Sequence, residues 1–216
     1  MKLKKGVRGI VGIKIDLQKA YDRVDWVVLT RILTLFGFSD KFTKLVLNCM
    51  SSMNMELLLN ASVFGQILMG RRLRQGDLIS SFLFIILMEL LSKMLLKWER
   101  DGKINGVKLG RQASSIIHLL FADDLLIFCR ANMDEVKNVY QCLQLFYKWI
   151  GQAFNKEKSG CFFFKNVTPR SRLDIKWCLG MKELDNKSKH LGLPLFIERN
   201  KSTVFEDLRR KVEDKL

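Results

Sequence analysis

The stretch HLLFADDLLIF, residues 118–128, is the part of this sequence that decides its fold. Two apolar runs are separated only by Ala122, Asp123 and Asp124, a pattern that predicts a tight β-hairpin with a carboxylate pair at its tip. An Asp-Asp pair is also a common turn signal, and in a solvated loop its role is structural. Because both flanks are apolar here, we expect a rigid, largely buried hairpin that holds the two acids for chemistry.

A third carboxylate follows another apolar run. Residues 7–15, VRGIVGIKI, predict a strand that ends at Asp16. If this strand and the hairpin are neighbours in one sheet, the three carboxylates converge at one end of it, and their repulsion raises at least one pKa unless cations neutralise them. Carboxylate oxygens without nearby His or Cys suit Mg²⁺. Two such ions, about 3.5 to 4 Å apart, activate a 3′-hydroxyl and stabilise a leaving pyrophosphate.

The charge of the chain restricts its partners. Its 216 residues include 37 Lys and Arg against 22 Asp and Glu, a formal net charge of +15 that favours a polyanion, either nucleic acid or an anionic membrane surface.

Five cysteines without a CxxC pair, and only two histidines, argue against a structural zinc site or a disulfide framework and favour a reducing, intracellular setting. Residues 78–96 approach the length of a membrane span. Glu89 and Lys93, four residues apart, instead indicate a buried helix with an ion pair at its solvent edge, so no membrane partner is expected.

The rest of the chain alternates helical and extended patterns. Apolar spacing predicts helices over residues 25–36, 39–49, 78–96 and 134–150, strands over 55–60 and 61–70, a turn at Asn105-Gly106 between short strands, and a strand pair around 152–165. This order predicts an α+β fold with a split βαβ sheet covered by helices on one face. From Asn166 the chain is more charged and less periodic, so we expect one domain over residues 1–165 and a separate subdomain over 166–216.

Five segments, in order, resemble the motifs of one family. They are KIDLQKAYDRVDW (14–26), RQGD (74–77) followed by the long apolar helix, HLLFADDLLIF (118–128), GQAFNKEKS (151–159) and HLGLP (190–194). Over nearly its full length the chain is similar to the reverse transcriptase domain of plant LINE-type non-LTR retrotransposons. The resemblance implies a polymerase palm over residues 1–165, the start of a thumb over 166–216, and RNA-directed DNA synthesis in the nucleus, from a dNTP on an RNA template and a DNA primer.

The same resemblance implies roles for individual residues. Asp16 and Asp123 would ligate two Mg²⁺ ions, with Asp124 as a close neighbour, and Tyr21 would lie beneath the incoming sugar as a steric gate against a 2′-hydroxyl. Without the resemblance, Tyr21 is interpreted as an ordinary core aromatic. The residues placed at the incoming nucleotide are Arg74, Gln75, Gly76 and Lys158, with Lys156 as the alternative to Lys158 near the triphosphate. Candidates for backbone contacts to primer and template are Arg71, Arg72, Arg74, Arg170, Arg172, Arg209 and Arg210.

Two other functions stay open at this point. The family's fingers, endonuclease and most of its thumb have no counterpart in this sequence, so we expect weak or no polymerisation by the chain alone. A non-catalytic nucleic-acid-binding remnant of a retroelement would keep the +15 charge, and it predicts salt-sensitive binding that is indifferent to Mg²⁺. A maturase-like RNA-binding protein would need an additional RNA-binding domain after the thumb.

Overall fold

The computed structural model describes residues 9–51, 55–59, 62–67, 71–74, 76–108, 110, 112–151, 153–164, 166–185, 188–196, 209–210 and 213. Its helices and strands, in chain order, are β1 (Ile10–Asp16), α1 (Trp26–Leu35), α2 (Asp40–Ser51), β2 (Met55–Leu59), β3 (Ser62–Ile67), α3 (Leu78–Arg100), β4 (Val107–Lys108), β5 (Ser115–Ile116), β6 (His118–Phe121), β7 (Asp124–Arg130), α4 (Met133–Ile150), β8 (Gly160–Phe163), α5 (Pro169–Leu179), β9 (Lys182–Glu183), β10 (Lys189–His190) and β11 (Leu193–Pro194).

A five-stranded sheet with the order β6-β7-β1-β8-β9 forms the centre of the fold. The central strand β1 is antiparallel to both of its neighbours. Alternate residues of a strand point to opposite faces of a sheet, and one face is buried in the same core as residues of α1, α3 and α4. On β1 and β7 the residues of that face are Val11, Ile13, Ile15, Leu125, Ile127 and Cys129. The predicted α+β class is therefore confirmed.

The opposite face of the sheet, which we call the open face, carries Gly12, Lys14 and Asp16 of β1. Gly12 is required there because a Cβ at this position would lie 2.3 Å from the ring of Phe162 on β8. The Phe162 ring in turn packs edge-on against Phe196, at 5.5 Å between centroids. Because Phe196 follows the β10–β11 hairpin, this aromatic contact holds the hairpin region against the open face.

Helix α3 contains the most apolar stretch of the sequence. By length and composition alone it could cross a membrane. Phe84, Leu87 and Leu91 on one of its sides are nonetheless buried in the core of the sheet and helices. The predicted ion pair between Glu89 and Lys93 forms at 3.5 Å, with both side chains about half exposed. Burial in the core accounts for the apolar residues on this side of the helix, whereas Leu78, Phe82 and Ile85 are exposed.

The predicted turn at Asn105-Gly106 between short strands is wrong. These residues lie between α3 and β4, and the backbone and side-chain N–H groups of Asn105 both donate to the Glu135 carboxylate. Gly106 approaches β5 so closely that a Cβ would lie 2.6 Å from the carbonyl oxygen of Ile116. The glycine is therefore needed for close packing rather than for a hairpin turn.

The predicted strand pair around residues 152–165 is also wrong. Among the described residues of this stretch only β8 is a strand, and Phe154 forms an isolated bridge with Leu17. Asn155 Oδ1 accepts the backbone N–H groups of Glu157 at 3.1 Å and Lys158 at 3.3 Å. An Asn side chain that binds nearby backbone in this way turns the chain where a first strand was expected.

The Glu135 carboxylate joins three parts of the fold. It is almost fully buried on α4 and accepts from Asn105, from the backbone N–H of Arg130 at 3.1 Å and from Asn132 Nδ2 at 3.3 Å. The Arg130 guanidinium lies 3.8 Å from it. The loop after α3, the end of β7 and the start of α4 are thus held by one side chain.

We expect Glu135→Ala to lower the free energy of unfolding by about 3 kcal/mol, because several buried donors would lose their acceptor. Urea denaturation followed by circular dichroism measures this change. Glu157→Ala, in an exposed turn, is the matched control and should change stability by less than about 0.5 kcal/mol. Equal stability of the two variants would contradict the assigned role of Glu135.

The division of the chain at residue 165 stays a prediction. Beyond it, Ile175 and Leu179 of α5 are buried in the main core. Strand β9 pairs in parallel with β8, so Lys182 and Glu183 belong to the central sheet.

Candidate active site

Asp16 and Asp124 lie side by side on the central sheet. Asp16 ends β1, Asp124 begins β7, and the two residues are direct partners in the antiparallel ladder. Directly paired residues of such a ladder lie on the same face, with Cα atoms about 4.5 to 5.5 Å apart. Asp123 precedes Asp124 in the turn of the β6–β7 hairpin. The three carboxylates predicted to converge are therefore brought to one edge of the open face.

The tip of this hairpin is not buried as its apolar flanks predicted. Asp123 is exposed. The side chains of Phe121 and Leu119, just before it in β6, are also exposed, by 66% and 49%. These two residues pair with Asp124 and Leu126 on the open face of the edge strand β6, opposite the face on which Leu120 packs against the core. Only the alternate positions of β6 face the helices. The exposed side chains of Phe121 and Leu119 therefore form a partly apolar, accessible surface beside the carboxylates.

The electrostatics of Asp16 reflect this crowding. Burial raises the pKa of the Asp16 carboxyl, Lys158 opposes that rise, and the neighbouring carboxylates of Asp123 and Asp124 add to it. Lys14, two residues earlier on the same face, also opposes it. The positive charges near Asp16 thus do not fully compensate its negative charge. A bound cation would supply the missing compensation.

The loop after α4 fixes the position of Asp16. The Asn155 backbone N–H donates to the Asp16 carbonyl at 2.7 Å, and the Asp16 N–H donates to Ser159 Oγ at 3.0 Å. Ser159 is fully buried. Lys156 and Lys158 are both exposed in this turn, and of the two only Lys158 affects the pKa of Asp16. Sequence reasoning missed Asn155 and Ser159; the only signal was their place on either side of the turn residues.

His190 is a third residue to which the sequence analysis gave no role. It belongs to β10, and its Nδ1 lies 3.9 Å from Asp124 Oδ1, buried and without a hydrogen-bond partner among the described residues. Burial lowers the pKa of this imidazole, and Asp124 opposes that shift. Nearby, Lys14 Nζ donates to the Lys189 carbonyl at 2.7 Å. The β10–β11 hairpin is therefore docked on the open face next to the carboxylates.

Tyr21 and the segment before α3 are joined to each other, and their predicted place at the incoming nucleotide stays a prediction. The Tyr21 ring is half buried and stacks on Phe84 of α3, with centroids 4.7 Å apart and planes 24° apart. Its carbonyl accepts the N–H of Leu73 at 2.8 Å, which ties the turn after β1 to the RQGD segment.

The RQGD segment itself leads into α3. Arg74 is exposed, Gly76 has a positive φ of 87°, and Asp77 caps the helix by accepting from Ile79 N–H and Ser80 Oγ. A positive φ is the conformation that glycine adopts without strain. Gln75 lies outside the described residues, so its predicted contact with the nucleotide stays a prediction.

Most of the arginines predicted to contact primer and template pair with carboxylates of the chain itself. The pairs are Arg71–Asp25, Arg72–Asp22, Arg172–Glu183 and Arg209–Glu213. Such exposed or half-exposed pairs are weak and exchange readily for phosphate contacts. Arg170 and Arg210 are exposed on α5 and near the end of the described chain.

The donor set of the site suits a hard cation. Asp16 and Asp124 offer carboxylate oxygens from adjacent strands, which is the ligand chemistry that Mg²⁺ prefers. Within the described part of the chain, no three His, Cys, Asp or Glu side chains form a group arranged to hold a metal ion. The fit to a divalent cation therefore rests on the ligand chemistry and the direct pairing of Asp16 and Asp124, and not on a complete group of three ligands.

Comparison with known proteins gives three kinds of match. The profile of the family described as "Reverse transcriptase (RNA-dependent DNA polymerase)" matches residues 2–195. An uncharacterized mitochondrial protein of Arabidopsis thaliana, AtMg01250, is 37% identical over 67 residues, which are 31% of this chain and 55% of that protein. A retrovirus-related Pol polyprotein from the type-1 retrotransposable element R2 of Popillia japonica is 25% identical over 160 residues, which are 74% of this chain and 25% of that protein. The chain therefore spans about a quarter to a half of the curated relatives that it matches.

Solved structures agree on the fold. Telomerase from Candida tropicalis, bound to a TWJ fragment of telomeric RNA, superposes with a TM-score of 0.63 at 14% identity over 97% of this chain and 34% of that one. Apo telomerase from the same organism, truncated from its C-terminal domain, gives 0.59 at 17% identity over 88% of this chain and 34% of that one. At these identities the likeness concerns the fold alone.

Proposed function

Because this chain belongs to the reverse transcriptase (RNA-dependent DNA polymerase) family, we propose that it is the palm part of a polymerase from a LINE-type non-LTR retrotransposon. In this proposal it transfers a nucleotide from a dNTP to the 3′-end of a DNA primer paired with an RNA template. The observation that carries the proposal is the direct pairing of Asp16 with Asp124 on the open face, with Asp123 in the adjoining turn.

The carboxylates supply the centre of this chemistry. In the proposal Asp16 and Asp123 hold two Mg²⁺ ions, and Asp124 is their close neighbour. When bound, these ions would favour ionisation of the primer 3′-hydroxyl and stabilise charge on the leaving pyrophosphate. Asn155 and Ser159 keep Asp16 in place through the two backbone hydrogen bonds described above.

Other residues bind and select the nucleotide. Tyr21 lies beneath the incoming sugar, where its ring excludes a 2′-hydroxyl, and the contact with Phe84 limits its movement. Arg74, Gln75 and Gly76 meet the nucleotide and the template base, and Lys158 lies near the triphosphate. The +15 charge of the chain and the accessible Phe121 beside the carboxylates suit a primer–template duplex. We further propose that residues 1–165 are the palm and 166–216 the start of a thumb.

Non-catalytic nucleic-acid binding is the second candidate function. The formal net charge of +15 supports it, because binding of a polyanion requires positive charge and no catalytic group. Nucleic-acid binding by such a protein would weaken with salt but would be indifferent to Mg²⁺ and to the loss of Asp16.

Primer extension on an RNA template with Mg²⁺ tests the first proposal. We expect at most weak incorporation of dNTP by the chain alone, and we expect Asp123→Ala to reduce that incorporation by about 10³-fold, because the charge that holds the cations at the reaction centre is lost. Asp101→Ala, at the exposed C-terminal end of α3, is the matched control and should incorporate like the unchanged chain. Equal incorporation by the unchanged chain and Asp123→Ala would refute catalysis at this site.

A further inference from the structure

A cavity of about 680 Å³ lies at the other end of the central sheet from the carboxylates. Ile10 and Arg130, which line it, are direct partners in the ladder between β1 and β7, six residues from the pair Asp16 and Asp124. At about 3.4 Å per residue this separation is about 20 Å. The cavity is therefore separate from the candidate active site, and its volume is in the range of pockets that hold small organic ligands.

Three parts of the fold line this cavity with side chains of different chemistry. They are the paired ends of β1 and β7 with Ile10 and Arg130, the end of α3 and the loop after it with Glu99, Asn105 and Gly106, and the β4–β5 hairpin with Lys108 and Ser115. A Cβ at Gly106 would lie 2.5 Å from Ser115 Oγ. The glycine therefore allows the hairpin to approach the loop after α3 and to close the cavity on that side.

Two cations of the cavity can contact a ligand. Lys108 is exposed and forms no ion pair within the described part of the chain. The Arg130 guanidinium lies 3.8 Å from the Glu135 carboxylate, which is beyond hydrogen-bond distance. That carboxylate already accepts from Asn105, from Asn132 and from the Arg130 backbone. The guanidinium and ammonium groups are thus available to a phosphate, which Arg and Lys bind by charge-assisted hydrogen bonds.

The side of the cavity formed by α3 and its loop offers acceptors instead. The Glu99 carboxylate is half buried and forms no ion pair with a described residue. Asn105 donates through Nδ2 to Glu135 at 2.9 Å, which leaves its Oδ1 as an acceptor. Glu99 would repel a simple anion, and the cations would repel a simple cation. The lining therefore suits a ligand that carries a negative group at one end and N–H donors at the other.

We propose that this cavity binds a guanosine 5′-phosphate unit. Guanine has two adjacent donors, N1–H and the amino group at C2, and a carboxylate such as that of Glu99 accepts both side by side. The phosphate contacts Lys108 and Arg130, and the flat base packs on the apolar side chain of Ile10. Adenine has an acceptor at N1, which a carboxylate repels, so the site distinguishes the two purines. The unit belongs either to a free nucleotide or to an unpaired guanosine of an RNA strand. The inference does not rest on catalysis at Asp16.

Titration calorimetry of the 216-residue chain with GMP, IMP and AMP tests the site. EDTA is present throughout, so that no nucleotide binds through a divalent cation at the carboxylates. We expect GMP to bind at least about tenfold more tightly than AMP, because AMP leaves the buried acceptors without donors. IMP keeps N1–H but lacks the amino group, so its affinity should lie between those of GMP and AMP.

Glu99→Gln is the deciding variant. It should lower GMP affinity about tenfold, to that of AMP, and leave AMP affinity unchanged, whereas a loss of folding would lower both. Asp101→Asn, two residues later and outside the cavity, is the matched control and should keep the preference for GMP. Lys108→Ala should weaken GMP and AMP alike, about three- to tenfold, because both lose one contact to the phosphate.

The proposal is overturned if GMP does not bind, if AMP binds equally well, or if Glu99→Gln keeps the preference for GMP. It is also overturned if Lys108→Ala leaves GMP affinity unchanged. A single-stranded oligouridine with one central guanosine, compared with one central adenosine, identifies the source of the unit. Tighter, Glu99-dependent binding of the guanosine strand assigns the site to RNA, and GMP binding without this difference assigns it to a free nucleotide. Failure of primer extension would refute the proposed function and leave the guanosine site standing.

Discussion

Asp16→Asn is expected to reduce nucleotide incorporation by about 10³-fold while it stabilises the folded chain. The loss follows because an amide cannot supply the negative charge that attracts divalent cations between β1 and β7. The gain in stability follows from the raised pKa of Asp16, which burial and the two neighbouring carboxylates cause. The same substitution thus lowers activity and raises stability, as expected when the carboxylates that are needed for activity repel one another in the folded chain.

The pH dependence of this gain has a definite sign. When the pKa of a carboxyl is higher in the folded chain than in the unfolded chain, its contribution to the free energy of unfolding is largest at pH values below the pKa of an unfolded aspartate, about 3.9. That contribution is lost as pH rises through the higher folded pKa, so Asp16→Asn should be the more stable chain at pH 7 but not at pH 3. The difference should stay below about 1 kcal/mol, because solvent screens a partly exposed carboxylate.

Denaturant unfolding at both pH values with a metal chelator present measures the stability, and primer extension measures the activity. Asp174→Asn, at an exposed position of α5, is the matched control for both measurements and should match the unchanged chain. If Asp16→Asn incorporates dNTP at the normal rate, Asp16 is not required for catalysis. A variant that is less stable at pH 7 would contradict the electrostatic description of the site.

Tyr21→Val should raise the use of rNTP relative to dNTP by about 10²-fold. The phenol ring would collide with a 2′-hydroxyl, whereas the smaller valine leaves room for it, and a steric clash of this kind gives discrimination of about that size. The stack on Phe84 keeps the ring from moving aside. The measurement is the ratio of kcat/KM for a dNTP to that for the corresponding rNTP.

Tyr140→Val is the matched control, because Tyr140 is also half buried against the core but lies on α4. It should leave the ratio unchanged even if it destabilises the chain. If Tyr21→Val lowers stability and activity without changing the ratio, Tyr21 is an ordinary core aromatic. The control therefore separates a selective role from a purely structural one.

Local patterns were sufficient for the parts of the fold that depend on neighbouring residues. The hairpin at 118–130 could be predicted because apolar runs on either side of a short polar turn determine strand pairing locally. The end of β1 at Asp16 and the starts of α1 and α3 follow from similar signals, since the helices predicted over 25–36 and 78–96 begin at Trp26 and Leu78. These signals are contained within a few residues of sequence.

The remaining features depend on contacts between distant residues. Asn105 was predicted to turn a hairpin because its acceptor, Glu135, lies thirty residues away. The position of His190 beside Asp124 depends on how the β10–β11 hairpin docks, which Lys14 and Phe162 determine together. The exposure of Phe121 depends on which strand forms the edge of the sheet. The periodicity of apolar residues in the sequence predicts none of these three features.

The register between β1 and β7 also makes the element sensitive to small insertions and deletions. Seven consecutive residues of β1, from Ile10 to Asp16, are matched one to one with Arg130 to Asp124. A copy that gained or lost a single codon within β1 would keep its composition and its hydropathy, yet the residues beyond the change would exchange faces. Its first aspartate would then point into the apolar interior under the helices. A frame-preserving length change in this strand would therefore separate Asp16 from Asp124 although the composition of the chain is almost unchanged.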